Sequence, residues 1–266
     1  MTGPLVVLIH GFTANGDYLH DMATYCEGHG LISAIFQYDS YVGIDDAAEK
    51  LVQRLGAVAA SVTKNGFSLV GHSMGGLVAR TAAVELTPNL RTALKSVVTL
   101  GTPNQGTLSH RLVGHMLDWA ENVAGPNPFA RAVACRSSQQ LTRTDSGRFI
   151  DELSRRERGR GEFPMLSVSG GLAYLECGKA GGVRSRLQNL LIQAALGEDN
   201  DGLVTERSAD LRNAFPSSEA VEHLSDYSEH SKTNHTYLVR NQEVATRVIG
   251  WMRAHGLETQ AFSQLS

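Results

Sequence analysis

The sequence predicts an α/β fold in which a mostly parallel central sheet carries helices on both faces. Short runs, apolar at nearly every position, alternate with amphipathic stretches, as they do when each strand is buried above and below. Polar or glycine-rich segments follow several of the runs, where an open parallel sheet has its ligand site.

The runs are Leu5–Ile9, Leu31–Gln37, Phe67–Gly71, Ser96–Leu100 and Met165–Ser169. Between the second and third, Ile44, Ala47, Ala48, Leu51, Val52, Leu55, Ala59 and Val62 share one face of a helical stretch over 44–62, with the charges opposite. Asn241 stands where it can cap a final helix, whose Val244, Val248, Ile249 and Met252 form a second apolar stripe. Neither an internal repeat nor a low-complexity segment interrupts this alternation.

With 266 residues, 42% hydrophobic and 19% charged, the chain can bury a sizeable core and reads as a single domain over 1–266. A net charge of −3 without a block of like charges gives no footprint for nucleic acid or an anionic membrane. The densest basic run, Arg155-Arg156-Glu157-Arg158-Gly159-Arg160, is interrupted by a carboxylate and reads as a solvated loop. Cys26, Cys135 and Cys177 are odd in number and widely spaced, so reduced thiols are expected rather than a disulfide framework or a zinc site. Met1-Thr2-Gly3-Pro4 leads directly into the first strand without a basic region or a cleavage site, and no segment is long enough to span a bilayer. A soluble, cytoplasmic protein is expected, or a secreted one if a leader was removed.

Gly71-His72-Ser73-Met74-Gly75 lies between an apolar strand and the helix-forming Gly76–Ala82, the context of a nucleophile elbow. Glycines at 71 and 75 let crowded backbones pass where a side chain would collide. His10-Gly11-Phe12 follows the first run, and Gly101-Thr102-Pro103-Asn104-Gln105-Gly106 follows the fourth. In this ordered combination nearly the whole chain resembles the α/β-hydrolase superfamily, in particular its bacterial lipase and esterase branch.

That resemblance implies a serine hydrolase that cleaves carboxylic esters through an acyl-enzyme, with a triad in the order Ser, then Asp or Glu, then His. A neutral serine hydroxyl is a poor nucleophile, so it needs a base within reach and a carboxylate to hold the imidazole in one tautomer. Ser73 is the nucleophile. The order excludes His10, His20, His29 and His72 as the base, while His110 and His115 fall too early. His235, in Thr233-Asn234-His235-Thr236-Tyr237-Leu238 just ahead of the final helix, is the candidate; His223 and His230 precede it, and His230 is the rival. Glu198-Asp199-Asn200-Asp201-Gly202-Leu203-Val204 resembles the family's Asp-Gly-Leu-Val segment, which makes Asp201 the acid and Asp199 its rival. Asp39 reads as a structural loop carboxylate.

An ester carbonyl under attack develops an oxyanion that preorganised backbone donors stabilise. By the same resemblance these are the N–H groups of Phe12 and Met74, with Gly11 allowing close approach and His10 serving as a structural hydrogen-bonder. No cofactor or metal is expected, since no carboxylate cluster has calcium-ligand spacing. The expected partner is a small-molecule or lipid ester, with transient contact to a lipid surface. A small helical cap insertion is expected at about 107–135, where Leu108, Leu112, Met116, Trp119 and Val123 recur at helical spacing until Pro126 and Pro128. That stripe serves either as a core-facing helix or as a lid over an acyl-binding cleft. The following Leu141–Leu153 region resembles the segment near the lid of bacterial lipases and is assigned no chemistry. An acyltransferase would use the same residues with an alcohol or thiol in place of water. A non-catalytic binding protein on this scaffold typically lacks a triad member.

Overall fold

A computed structural model describes residues 3–12, 14–106, 135–141, 143–160, 162–173, 199–225 and 233–257. β1 (Leu5–Ile9) lies between β2 (Ile32–Phe36) and β3 (Phe67–His72). Beyond β3 follow β4 (Leu94–Leu100), β5 (Met165–Val168) and β6 (Val221–Leu224), and every pairing is parallel. The helices in chain order are α1 (His20–Gly28), α2 (Ile44–Ala57), α3 (Ala59–Asn65), α4 (Met74–Glu85), α5 (Pro88–Ala93), α6 (Arg136–Leu141), α7 (Arg143–Arg160), α8 (Glu206–Ala209) and α9 (Gln242–Ala254).

Alternation along the strands divides the core between two faces. Val7, Ile9, Leu69 and Val97 point to one side and pack with Ile44 and Leu51 of α2, Leu77 and Val78 of α4, and Ile150 and Leu153 of α7. Val6, Leu8, Val70 and Val98 point to the other, where Met22 of α1 meets Val244, Val248 and Ile249 of α9. Each such side chain, fully removed from water, contributes roughly 1.5–3 kcal/mol. Asn241 Oδ1 accepts from the N–H groups of Glu243 and Val244, which caps α9 as its sequence predicts.

In three places the structure departs from the sequence-based expectation. The helical stretch over 44–62 is two helices, broken at Val58 (φ −115°, ψ 19°). Gly56 weakens the helix just before the break, and α3 then turns so that Val62 reaches the same cluster. β6 carries no apolar run, because this edge strand buries only Val221 fully and leaves Glu222 exposed. The basic run is the end of α7 rather than a loop, and the carboxylate within it is buried.

That carboxylate, Glu157, receives two hydrogen bonds from Arg80 of α4, from Nε at 2.9 Å and from Nη2 at 2.6 Å. The Arg80 and Glu157 side chains are 0% and 1% exposed. Arg80 also donates to Asn104 Oδ1 at 3.1 Å and to Ser154 Oγ at 3.2 Å. Asn104 Nδ2 in turn donates to Thr99 Oγ1 and to the Ala209 carbonyl. The Gly-Thr-Pro-Asn segment is thereby tied to α4, α7 and α8. Cys26 is buried and free, with burial raising its thiol pKa; Cys177 lies outside the described residues.

Removing one partner of so deeply buried a pair strands the other charge away from water. Glu157→Ala is expected to lower the unfolding free energy by about 3–5 kcal/mol in urea titration, and the double variant Arg80→Met/Glu157→Leu by distinctly less. Equal losses would show that the pair is not desolvated.

Candidate active site

The sheet order reverses at β1, from which the chain goes first to β2 on one side and then to β3 on the other. Loops leaving β1 and β3 therefore part at their carboxyl ends and open a crevice. His10-Gly11-Phe12 and Ser73 stand at that crevice.

Ser73 joins β3 to α4 in a single residue. Its backbone (φ 53°, ψ −130°) has the only positive φ of a non-glycine among the described residues. Such a conformation costs on the order of 1–3 kcal/mol and persists only where its surroundings impose it. The Ser73 N–H donates to the Leu100 carbonyl at 2.8 Å, and the Ser73 carbonyl accepts from Gly76 N–H at 3.0 Å. A Cβ on Gly71 would overlap the Gly75 carbonyl, and one on Gly75 would overlap the carbonyls of Ile9 and His10. The elbow thus packs directly on the loop that follows β1.

Asp201 and His235 meet beside Gly101 and His72, past the carboxyl ends of β3 and β4. His235 Nδ1 is 2.8 Å from Asp201 Oδ2. Asp201 Oδ1 accepts from the N–H groups of Leu203 at 3.0 Å and Val204 at 2.7 Å, and the Asp201 carbonyl accepts from His235 N–H at 2.8 Å. Both residues are almost wholly buried. Because a carboxylate can only accept, the proton of neutral His235 sits on Nδ1 and its Nε2 carries a lone pair. Asp199 has an exposed side chain and contributes its carbonyl to Glu206 N–H. His230 lies outside the described residues, and His223 is on β6, bonded to Ser167 at 2.8 Å. Gly101 (φ 54°) passes so close that a Cβ there would lie 2.8 Å from Asp201 Oδ2 and 3.0 Å from His235 Nδ1.

Ser73 Oγ makes no hydrogen bond among the described residues, so the serine–histidine link is open while the histidine–aspartate link is closed. Contacts of this kind commonly tighten only when substrate is bound.

The loop after β1 is fixed by two aromatic residues and a histidine. Buried His10 donates from Nδ1 to the Gly11 carbonyl at 3.0 Å and stacks on Tyr38 at 4.3 Å. Burial lowers its pKa and favours the neutral ring. The Tyr38 hydroxyl donates to the His10 carbonyl at 2.7 Å. Because the peptide is trans, holding the Gly11 carbonyl on one side turns the Phe12 N–H to the other. Neither the Phe12 nor the Met74 N–H has a protein acceptor among the described residues.

Two further residues join the site: Tyr18, which the sequence-based reading does not name, and His72, which it names only within the Ser73 motif and excludes as the base. The Tyr18 hydroxyl accepts from Gly11 N–H at 2.8 Å and lies 2.9 Å from His72 Nδ1, while His72 Nε2 lies 2.8 Å from the His235 carbonyl. The two bonds of His72 span 54 and 163 residues, and no motif spacing links their ends.

A family model described as "Putative serine esterase (DUF676)" matches residues 2–158. The chain belongs to this family. The match contains Ser73 and ends before Asp201 and His235. A triacylglycerol lipase of Pseudarthrobacter phenanthrenivorans is 29% identical over 111 residues, which cover 38% of this chain and 34% of that lipase. A triacylglycerol lipase of Burkholderia plantarii is also 29% identical over 111 residues, covering 38% of this chain and 30% of the lipase. The chain thus aligns with about a third of the length of these curated relatives.

Among solved structures, the mature lipase BlEst2 of Bacillus licheniformis superposes with a TM-score of 0.69 at 19% identity, covering 94% of this chain and 92% of that one. A thermophilic esterase from Thermogutta terrifontis gives 0.57 at 15% identity, covering 96% and 91%. The fold is that of the α/β-hydrolases. No helix among the described residues is long and apolar enough to cross a membrane. Of the cap insertion expected at about 107–135, all but residue 135 lies outside the described residues.

Gly101→Ala is expected to lower the unfolding free energy by more than about 1 kcal/mol, because it combines a positive φ with a clash against the His235–Asp201 pair. Gly250→Ala, where an added Cβ meets nothing within 4 Å inside α9, is expected to raise it by about 0.5–1 kcal/mol. Denaturant titration of the two variants side by side checks both signs.

Proposed function

We propose that this protein hydrolyses carboxylic esters of small molecules or lipids through an acyl-enzyme formed on Ser73. The observation that carries the reading is the buried His235–Asp201 pair, bonded at 2.8 Å, whose His235 carbonyl lies 2.8 Å from Nε2 of His72, the residue before a serine held at positive φ. His235 Nε2 takes the Ser73 proton as Oγ attacks the ester carbonyl, and returns it to the departing alcohol. A water molecule, deprotonated by the same nitrogen, then attacks the acyl carbon; the bond to Ser73 Oγ breaks, Nε2 returns the proton to Oγ, and the acid is released. Asp201 keeps the imidazole in the Nδ1–H tautomer and stabilises the imidazolium formed at each step. The N–H groups of Phe12 and Met74 receive the oxyanion, two donors already oriented before charge develops. The whole chain acts as one domain.

A ladder of p-nitrophenyl esters from acetate to palmitate tests the reading and reports chain-length preference. Ser73→Ala is expected to abolish turnover of every ester the wild type cleaves. Asp201→Asn is expected to lower kcat about 10³–10⁴-fold, because the amide can donate to Nδ1 and so favours the wrong tautomer. Asp199→Asn is expected to leave kcat within about twofold. A larger loss in the Asp199 variant would transfer the acid's role to that residue.

A further inference from the structure

We propose that Tyr18 and His72 are positioning residues that join the oxyanion loop to the main chain of the base. The proposal rests on the reading of Ser73, His235 and the Phe12 N–H given above. The bonds form one continuous chain. Gly11 N–H donates to the Tyr18 oxygen at 2.8 Å, and because the His235 carbonyl can only accept from His72 Nε2, His72 Nδ1 accepts the Tyr18 proton at 2.9 Å. A ring that accepts at Nδ1 carries its proton on Nε2, and Nε2 faces the His235 carbonyl at 2.8 Å.

Each end of the chain lands one covalent step from a reacting group. At one end, the Gly11 N–H is fixed next to the peptide that carries the Phe12 N–H. At the other, the His235 carbonyl is fixed on the residue whose side chain is the base. The His72 ring lies 4.7 Å from the His235 ring, so a charge on His72 would oppose the imidazolium formed during acylation. Burial and the neighbouring His235 hold the His72 pKa well below the usual histidine value. Burial likewise pushes the Tyr18 hydroxyl pKa up. Both residues keep their protons through the cycle, and their effect is geometric.

The pair departs from an ordinary structural contact in one measurable respect. A merely structural bond, once lost, lowers stability but leaves the folded enzyme's chemistry intact; a positioning bond lowers the chemical step itself. Tyr18→Phe removes one oxygen and keeps the ring. His72→Asn keeps an acceptor near the Nδ1 position and loses the donor that reaches His235.

The test measures phosphonylation by a fluorophosphonate for wild type, Ser73→Ala, the two single variants and the double variant, with a melting temperature for each. Phosphonylation builds negative charge on a phosphoryl oxygen and uses the same base, so kinact reports the geometry of both groups without a known substrate. Each single variant is expected to lose about tenfold in kinact, the worth of one well-placed hydrogen bond, with KI within about twofold. The double variant is expected to lose little more than the worse single variant, since the chain is broken once. Lower melting temperatures with unchanged kinact, or losses that multiply in the double variant, would overturn the proposal and leave the esterase reading standing. Absence of Ser73-dependent labelling in the wild type would overturn both.

Discussion

Where β3 turns into α4, the Gly75 backbone lies against the carbonyls of Ile9 and His10 so closely that no side chain fits between them. This contact sets the distance between the serine and the loop after β1. It also accounts for the positive φ of Ser73, since a strand that must become a helix within one residue, against a neighbouring loop, has few other conformations available. The Leu100 carbonyl holds the Ser73 N–H from the adjacent strand. A change in any of these three loops would move the hydroxyl.

Asp201 and His235 are held by a second, independent device. Asp201 uses one carboxylate oxygen for two backbone donors and the other for His235, and its own carbonyl binds the His235 N–H. Buried polar groups left without partners would cost about 1–3 kcal/mol each, so full satisfaction is what permits a carboxylate at this depth. Gly101 completes the arrangement by leaving the space that Oδ2 and Nδ1 occupy. The Tyr18–His72 chain bridges the two devices, from the Gly11 N–H to the His235 carbonyl. Away from the crevice, Asn104 and the Arg80–Glu157 pair fasten the loop after β4 to three helices.

Strands such as β1 and β3 are legible in the sequence because they are buried on both faces and therefore apolar throughout. β6 is not, because an edge strand needs only one buried position, and Val221-Glu222-His223-Leu224 shows no pattern. Ser73 announces itself through the local geometry it demands, since the glycines around it are required by neighbours a few residues away. Asp201 and His235 are legible only as members of an ordered set; the bond between them spans 34 residues and no periodicity reports it. Glu157 is the opposite case. Its neighbours in sequence are arginines, which suggests a solvated face, whereas its partner Arg80 is 77 residues away in another helix. His72 stands in the motif around Ser73, but its bonds to Tyr18 and His235 span 54 and 163 residues, and no spacing reports them.

The central claim is that the strained serine carries the acyl group. Rapid acid quench of the enzyme with p-nitrophenyl butyrate, followed by tryptic peptide mass mapping, tests it directly. The account predicts a butyryl mass on the peptide from Asn65 to Arg80, assigned by fragmentation to Ser73 and absent from Ser73→Ala. A butyryl group on any other residue, or turnover with no covalent intermediate under conditions where deacylation is slow, would contradict it.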